Sequence, residues 1–313
     1  MDSPLLIVVG PTAAGKSGLA LHVAELFSGE VVNCDSLQLY RGFDIGTAKT
    51  PARERRGIPH HLLDVLDPQM VHSAGDYSRL ARATVAEIAQ RGKLPVIVGG
   101  TGFYLSAFLN GLPALPPRDE GLRERLSERE QQRPGSLHRI LSRVDPATLR
   151  RIQPNDTHKL LRALEIRLLT RRTLPPASEA APLTGFRILK IGLDPDREAL
   201  VKAIEARTAN MFEAGLLEEV RGLLASGLTG NEKPFESLGY KQVLAHFRGE
   251  LSIETAILNT EIGTRQYAKR QRTWFRRDPQ IHWLPGFGSD PRIVEQATEL
   301  VKYLLATPCD SSR

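Results

Sequence analysis

The chain has 313 residues, 41% of them hydrophobic and 25% charged, with a formal charge of +6. That is enough apolar material for a sizeable core, and it excludes disorder, collagen and coiled coil as the dominant class. No apolar run nears the ~20 residues of a membrane span. The two cysteines, Cys34 and Cys309, imply no disulfide framework, which makes the cytosol the default compartment.

Leu5–Val9 is a continuous apolar run closed by Gly10 and predicts a buried strand; it is too short for a signal-peptide core. Leu19, Val23, Leu26 and Phe27 recur at helical spacing over residues 16–27. Val31 and Val32 form a second short apolar run that ends at Asp35, and residues 36–60 read as loop. An amphipathic helix follows over 76–91, with Tyr77, Leu80, Ala81, Val85 and Ile88 on one face. Pro95–Val98 is a third buried strand stopped by Gly99 and Gly100, after which 101–109 is helical. This alternation implies a parallel sheet with helices on both faces.

The rhythm changes at the Pro-rich connector Leu112–Pro117. Residues 119–172 hold helical segments and no strand, and 173–185 are a second linker. A strand returns at Ile188–Leu193, followed by helices to about 226 and over 236–248, 252–278 and 291–306. The expected architecture is an α/β core, 1–117 and 183–313, interrupted by a helical insertion at 118–182. That insertion holds 14 basic and 9 acidic groups and carries nearly all of the surplus charge. A second basic patch, Arg265–Arg277, has six basic residues and no acid, interleaved with Tyr267, Trp274 and Phe275. Trp274 and Phe275 are read as core. Clusters of this kind suit a polyanion partner.

Gly10-Pro11-Thr12-Ala13-Ala14-Gly15-Lys16-Ser17 fits G-x-x-x-x-G-K-[ST] between a strand and a helix. Backbone amides of such a loop curl around phosphate oxygens, Lys16 adds a mobile charge, and Ser17 is the candidate Mg²⁺ ligand. The loop calls for two or more phosphates without naming the molecule. A motor or GTPase places an acid at the end of another strand, but the third strand here ends Val98-Gly99-Gly100-Thr101. Asp35 is the strand-end carboxylate of this region, a candidate proton acceptor or water-mediated metal partner. His60 and His61 read as structural, since no cysteine cluster accompanies them.

Further blocks add to the phosphate loop. They are Asp35-Ser36-Leu37-Gln38-Leu39-Tyr40-Arg41-Gly42, Asp44-Ile45-Gly46-Thr47-Ala48-Lys49, Pro59-His60-His61-Leu62-Leu63-Asp64, Gly99-Gly100-Thr101-Gly102-Phe103-Tyr104-Leu105 and Pro154-Asn155-Asp156. Arg162-Ala163-Leu164-Glu165, Gly239-Tyr240-Lys241 and Lys269-Arg270-Gln271-Arg272-Thr273-Trp274-Phe275-Arg276 complete the set. In this order and spacing they resemble the bacterial-type tRNA isopentenyltransferase family, from about residue 4 to 285. The resemblance implies transfer of a dimethylallyl group from dimethylallyl diphosphate to N6 of the adenosine 3′ of the anticodon, in tRNAs reading codons that begin with U. It implies Mg²⁺ as cofactor, a tRNA anticodon stem-loop as partner, and a cytoplasmic, monomeric enzyme.

In this resemblance Gly10–Ser17 holds the diphosphate, Asp35 takes the amine proton, and Thr101, Lys16 and Arg207 complete the catalytic set. The implied RNA contacts are Asp35, Ser36, Leu37, Gln38 and Thr101 at the centre, with Arg123, His158, Lys159, Leu160, Leu161 and Arg162 in the insertion. Gly239, Tyr240 and Lys241, then Lys269, Arg270, Gln271, Arg272 and Arg276, supply the remainder. The flipped adenine would be read by Ser36 and Gln38. Lys159 stands where the family more often has arginine, and an ammonium offers a charge contact in place of a bidentate one. Three rivals are a small-molecule phosphotransferase, an adenylate isopentenyltransferase lacking the basic insertion, and a non-enzymatic RNA-binding module.

Overall fold

Strand β1 (Ser3–Val9) sends alternate side chains into two different cores. Leu5, Ile7 and Val9 pack with Tyr77, Val85, Ile88 and Phe108. Leu6 and Val8 pack with Leu19, Val23, Ala297 and Val301. A strand covered on both faces has no solvated position, which explains its unbroken apolar run. In the computed structural model, which describes residues 2–113, 115–175 and 180–306, β1 sits inside a six-stranded parallel sheet. The other strands are β2 (Gly29–Asn33), β3 (His60–His61), β4 (Leu94–Val98), β5 (Phe186–Leu193) and β6 (Ile281–Leu284), in the order β3-β2-β4-β1-β5-β6. Helices α1 (Lys16–Leu26) and α12 (Pro291–Ala306) cover one face; α2 (Ala74–Gln90) and α3 (Gly102–Asn110) cover the other.

Two strands depart from the sequence expectation. β3 is two residues long, and nothing in His60-His61 alternates; it exists because Val31 and Val32 offer it a ladder. β6 pairs Lys190–Leu193 in register with Ile281–Leu284. His60 and His61 are structural: the His60 Nδ1 lies 2.8 Å from the Ile58 carbonyl, and the His61 Nε2 lies 2.7 Å from the Glu30 carboxylate. Cys34 is buried and free, while Cys309 and residues 176–179 of the second linker lie outside the described residues. Among the described residues no helix is long and apolar enough to cross a membrane.

The chain divides into two units. One comprises the chain up to Leu109 and from Leu183 onward; the other is Asn110–Pro182. The smaller unit is helical: α4 (Glu120–Gln132), α5 (Ser136–Val144), α6 (Pro146–Leu149) and α7 (Thr157–Thr170) enclose Leu126, Leu137, Leu141, Leu160, Leu161 and Leu164. Three of its acids are helix caps. Asp119, Asp145 and Asp156 accept the amides of Leu122, Thr148 and Lys159, each three residues on. Glu165 is fully buried and accepts from the Asp119 amide and from Arg123 and Arg162. Burial alone would raise its pKa, but the Arg162 hydrogen bond, the Asp119 amide and the two guanidinium charges outweigh it and hold the carboxyl below its usual range.

Candidate active site

Parallel strands deliver their following loops to one edge of the sheet. The loop after β1 is the phosphate motif. Gly15 has φ 82, a conformation that glycine takes at no steric cost, and it hands the chain to α1 at Lys16. The first amides of α1 are therefore free to face an anion. Lys16 Nζ donates to the Pro11 carbonyl at 2.7 Å. Burial, together with the charge of Arg207, pushes this ammonium down to about 7, with Asp35 opposing the shift.

That value has a measurable consequence. An anion binds the charged form, so above pH ~7 each binding event must first restore a proton, and affinity falls by up to about tenfold per pH unit. Pyrophosphate titrations between pH 6 and 9 are expected to show this decline for the native chain relative to Lys16→Arg, whose charge does not titrate. Parallel profiles would show that Lys16 does not govern the anion.

The loop after β2 carries Asp35. The Asn33 side chain clamps it, accepting the Asp35 amide at 2.9 Å and donating to the Asp35 carbonyl at 3.0 Å and the Leu62 carbonyl at 2.9 Å. Asp35 Oδ1 accepts the Leu37 amide at 2.9 Å, and Oδ2 has no hydrogen-bond partner among the described residues. The loop after β4 supplies Thr101, whose Oγ1 accepts the Ser36 amide at 3.1 Å and whose own amide donates to the Cys34 carbonyl at 3.2 Å. The two loops are thus laced together around the carboxylate.

A cavity of about 510 Å³ opens beside them, lined among others by Thr12, Asp35, Ser36, Tyr104, Arg207 and Tyr267. Burial raises the pKa of the Tyr267 phenol, with the charge of Asp35 adding to it; burial likewise raises that of Tyr104. Both rings therefore hold their protons and can act only as hydrogen-bond donors or acceptors here, while Asp35 stands beside them as a carboxylate. Arg207, on α8 (Arg197–Glu213), is held below its usual range by burial, with Asp35 opposing. Its Nη2 reaches only the Thr47 carbonyl at 3.5 Å, and it forms no ion pair among the described residues. A desolvated guanidinium without a carboxylate is a binding element for an anion.

Sequence reasoning missed Glu219 altogether, and it gave Tyr240, Lys49 and Gln38 no part in folding the 44–49 loop. Glu219, on α9 (Leu216–Ala225), accepts the amides of Asp44 at 3.1 Å and Ile45 at 2.8 Å. Tyr240 donates its hydroxyl to Glu219 and accepts the Gly46 amide at 3.1 Å. Lys49 is buried and pairs with Asp44 and Asp64. Gln38 donates to the Thr47 carbonyl at 3.1 Å. No local signal marks Glu219, which lies 175 residues from Asp44. Tyr267, named in the sequence only as an aromatic of the basic run, stands one and two helical turns beyond Thr264 and Thr260, and all three line the cavity.

The structure separates the expected RNA contacts into two groups. Leu160, Leu161 and Tyr240 are core residues with no surface for RNA, and Gln271 is also buried; these are corrections to the expectation. Arg123 and Arg162 are engaged with Glu165, Lys159 with Asp156, and Arg272 and Arg276 with Asp194. The Gly239 amide is spent on Gln242 at 2.9 Å. Lys241, Lys269, Arg270 and His158 are exposed, and Lys241 and Arg270 also line the cavity. Trp274 departs from its core reading at 43% exposed, whereas Phe275 is buried.

A phosphate loop, a strand-end carboxylate and an arginine without an ion pair among the described residues, all beside one cavity, describe a P-loop group-transfer enzyme. A family model described as IPP transferase matches residues 38–278. A tRNA dimethylallyltransferase of Solibacter usitatus is 55% identical over 96% of this chain and 99% of its own length. The structure of the full-length tRNA isopentenylpyrophosphate transferase of Bacillus halodurans aligns with TM-score 0.73 and 34% identity, covering 97% of each chain. A eukaryotic dimethylallyltransferase captured acting on tRNA aligns with TM-score 0.83 and 26% identity over 100% of this chain and 82% of that one. The chain belongs to the IPP transferase family, that of the tRNA dimethylallyltransferases. Membership sets aside the phosphotransferase and the non-enzymatic RNA-binding module.

Proposed function

We propose that this chain moves a dimethylallyl group from dimethylallyl diphosphate to N6 of the adenosine next to the anticodon, in tRNAs reading codons that begin with U. The observation that carries this reading is the cavity itself: Asp35 and the unpaired Arg207 face one space beside the phosphate loop. The allylic C1–O bond breaks, its electron pair leaving on diphosphate, and the adenine N6 lone pair forms the new C–N bond. The N6 proton passes to Asp35 and then to water. Lys16, Arg207 and the α1 amides neutralise the departing charge. Holding the weakly nucleophilic amine in line with C1 contributes as much as proton removal.

The donor set fits magnesium. Ser17 lies exposed in the first turn of α1, and no group of three or more acidic, histidine or cysteine side chains among the described residues could hold a metal. Mg²⁺ takes few protein oxygens, retains waters and binds substrate phosphates, so Ser17 would hold it together with the diphosphate, and its charge would ease departure of that group. The same reading places the enzyme in the cytosol, where tRNA and a reduced Cys34 are both found.

The direct test supplies dimethylallyl diphosphate with unmodified tRNA and, in parallel, free AMP, followed by nucleoside mass spectrometry. N6-dimethylallyl adenosine in tRNA alone is expected. Product from AMP alone would make the chain an adenylate isopentenyltransferase instead.

The basic run on α11 (Ile253–Phe275) gives a second test. Arg265 pairs with Glu205, and Arg272 and Arg276 pair with Asp194, whereas Lys269 and Arg270 are exposed and form no ion pair among the described residues. Lys269→Ala with Arg270→Ala is expected to raise the tRNA KM and to flatten the salt dependence of binding by about 1 to 2 in log–log slope. If the diphosphate KM alone rises, α11 does not face the RNA.

A further inference from the structure

We propose that Gln271 is a positioning residue that sets the distance between the diphosphate loop and the loop carrying the proton acceptor. The proposal rests on the functional reading above and goes beyond it, because it moves Gln271 from the RNA surface to the interior of the site. The side chain is 5% exposed. Its Oε1 accepts the Thr12 amide at 2.8 Å, and its Nε2 donates to the Gly100 carbonyl at 3.0 Å. Its partners lie 259 and 171 residues away in sequence, so no local constraint of either loop could create this bridge.

Gly100 is shaped to receive it. A Cβ there would lie 1.9 Å from Gln271 Nε2, so any other residue would expel the amide. From Gly100 the lacing continues through Thr101 Oγ1 to the Ser36 amide, and Ser36 adjoins Asp35. One carboxamide thus connects the phosphate loop to the carboxylate through a short series of hydrogen bonds. The bridge also occupies the Thr12 amide, which removes that donor from the groups facing a phosphate. In-line transfer needs the reacting carbon and the nucleophile held together within a few tenths of an ångström, and a misplacement of about 1 Å costs about 10²-fold in rate. Glutamine suits such a bridge because it accepts and donates at once without adding charge beside a cradle for an anion.

Three variants test the bridge in single-turnover assays at saturating dimethylallyl diphosphate over a range of tRNA concentration, which give both the limiting rate and the tRNA KM. Gln271→Met fills the space without either hydrogen bond; its rate is expected to fall about 10²-fold, with the tRNA KM little changed. Gln271→Asn keeps the amide but falls short of both partners; its rate is expected to fall on the same scale, and it carries the test if the methionine variant folds poorly. Gln271→Glu separates positioning from packing. Ionised, it still accepts from Thr12 but sets a carboxylate oxygen against the Gly100 carbonyl; protonated, it restores both bonds. Its rate relative to wild type is therefore expected to climb as pH falls from 8.5 to 5.5, and the ratio cancels the titration of Lys16 and of any other group that both proteins share.

A flat Glu-to-wild-type ratio, or wild-type rates in the methionine and asparagine variants with only lower melting temperatures, would reduce Gln271 to a packing residue. A raised tRNA KM at unchanged rate would return it to the RNA surface and overturn the proposal. Wild-type transfer in the same assay separates either result from failure of the functional reading.

Discussion

Asp35→Asn is expected to lower the rate of prenyl transfer by about 10²–10⁴-fold, the range for loss of a positioned general base. The substitution is chosen from the geometry. Asparagine retains an Oδ1 for the Leu37 amide, and its backbone still meets the Asn33 side chain, so the loop after β2 keeps its shape. Only the oxygen without a protein partner is exchanged for a group that cannot accept the proton. Affinity for tRNA and pyrophosphate should change little, which single-turnover rates and equilibrium binding measured side by side will show. Unchanged turnover would remove Asp35 from the chemistry. Binding losses as large as the rate loss would make it a recognition residue.

Arg207→Met is expected to reduce turnover by about 10²–10³-fold, the scale seen when one preorganised donor to a developing anion is removed. Arg207 is desolvated, reaches only one weak carbonyl contact and lacks an ion pair among the described residues. In the absence of an anion it costs the fold stability; with diphosphate present, the same charge becomes favourable. Methionine should therefore raise the melting temperature while lowering activity, a trade seen where a site is strained for function. Arg207→Lys should recover only part of the rate, because an ammonium cannot present two parallel donors. A variant that loses stability together with activity would mark Arg207 as structural.

The phosphate loop and the strand-end residues beside it were legible because their elements are local. A strand, a glycine turn and a helix at Gly10–Ser17 need only neighbouring residues to form, and Asp35 and Thr101 each follow an apolar run. The basic residues were legible as types but not as roles. Whether Arg272 meets a phosphate or Asp194, and whether Arg162 meets RNA or Glu165, depends on carboxylates that arrive from other elements. Leu160 and Leu161 show the same limit: adjacent residues in a basic helix read as surface until α4 and α5 bury them.

From its order of residues alone this chain determined its parallel α/β core, the helical segment set into it, the phosphate loop and the carboxylate at the next strand end. Periodicity and turn chemistry act over a few residues, so they are written locally. Folding alone decided which groups remain available. Gln271 and Tyr240 turn inward, Glu219 fastens the 44–49 loop, and Arg207 is left without an ion pair among the described residues. The physical reason is that burial and hydrogen-bond satisfaction belong to the whole packed molecule: a polar side chain bonds whichever partner the fold brings within about 3 Å.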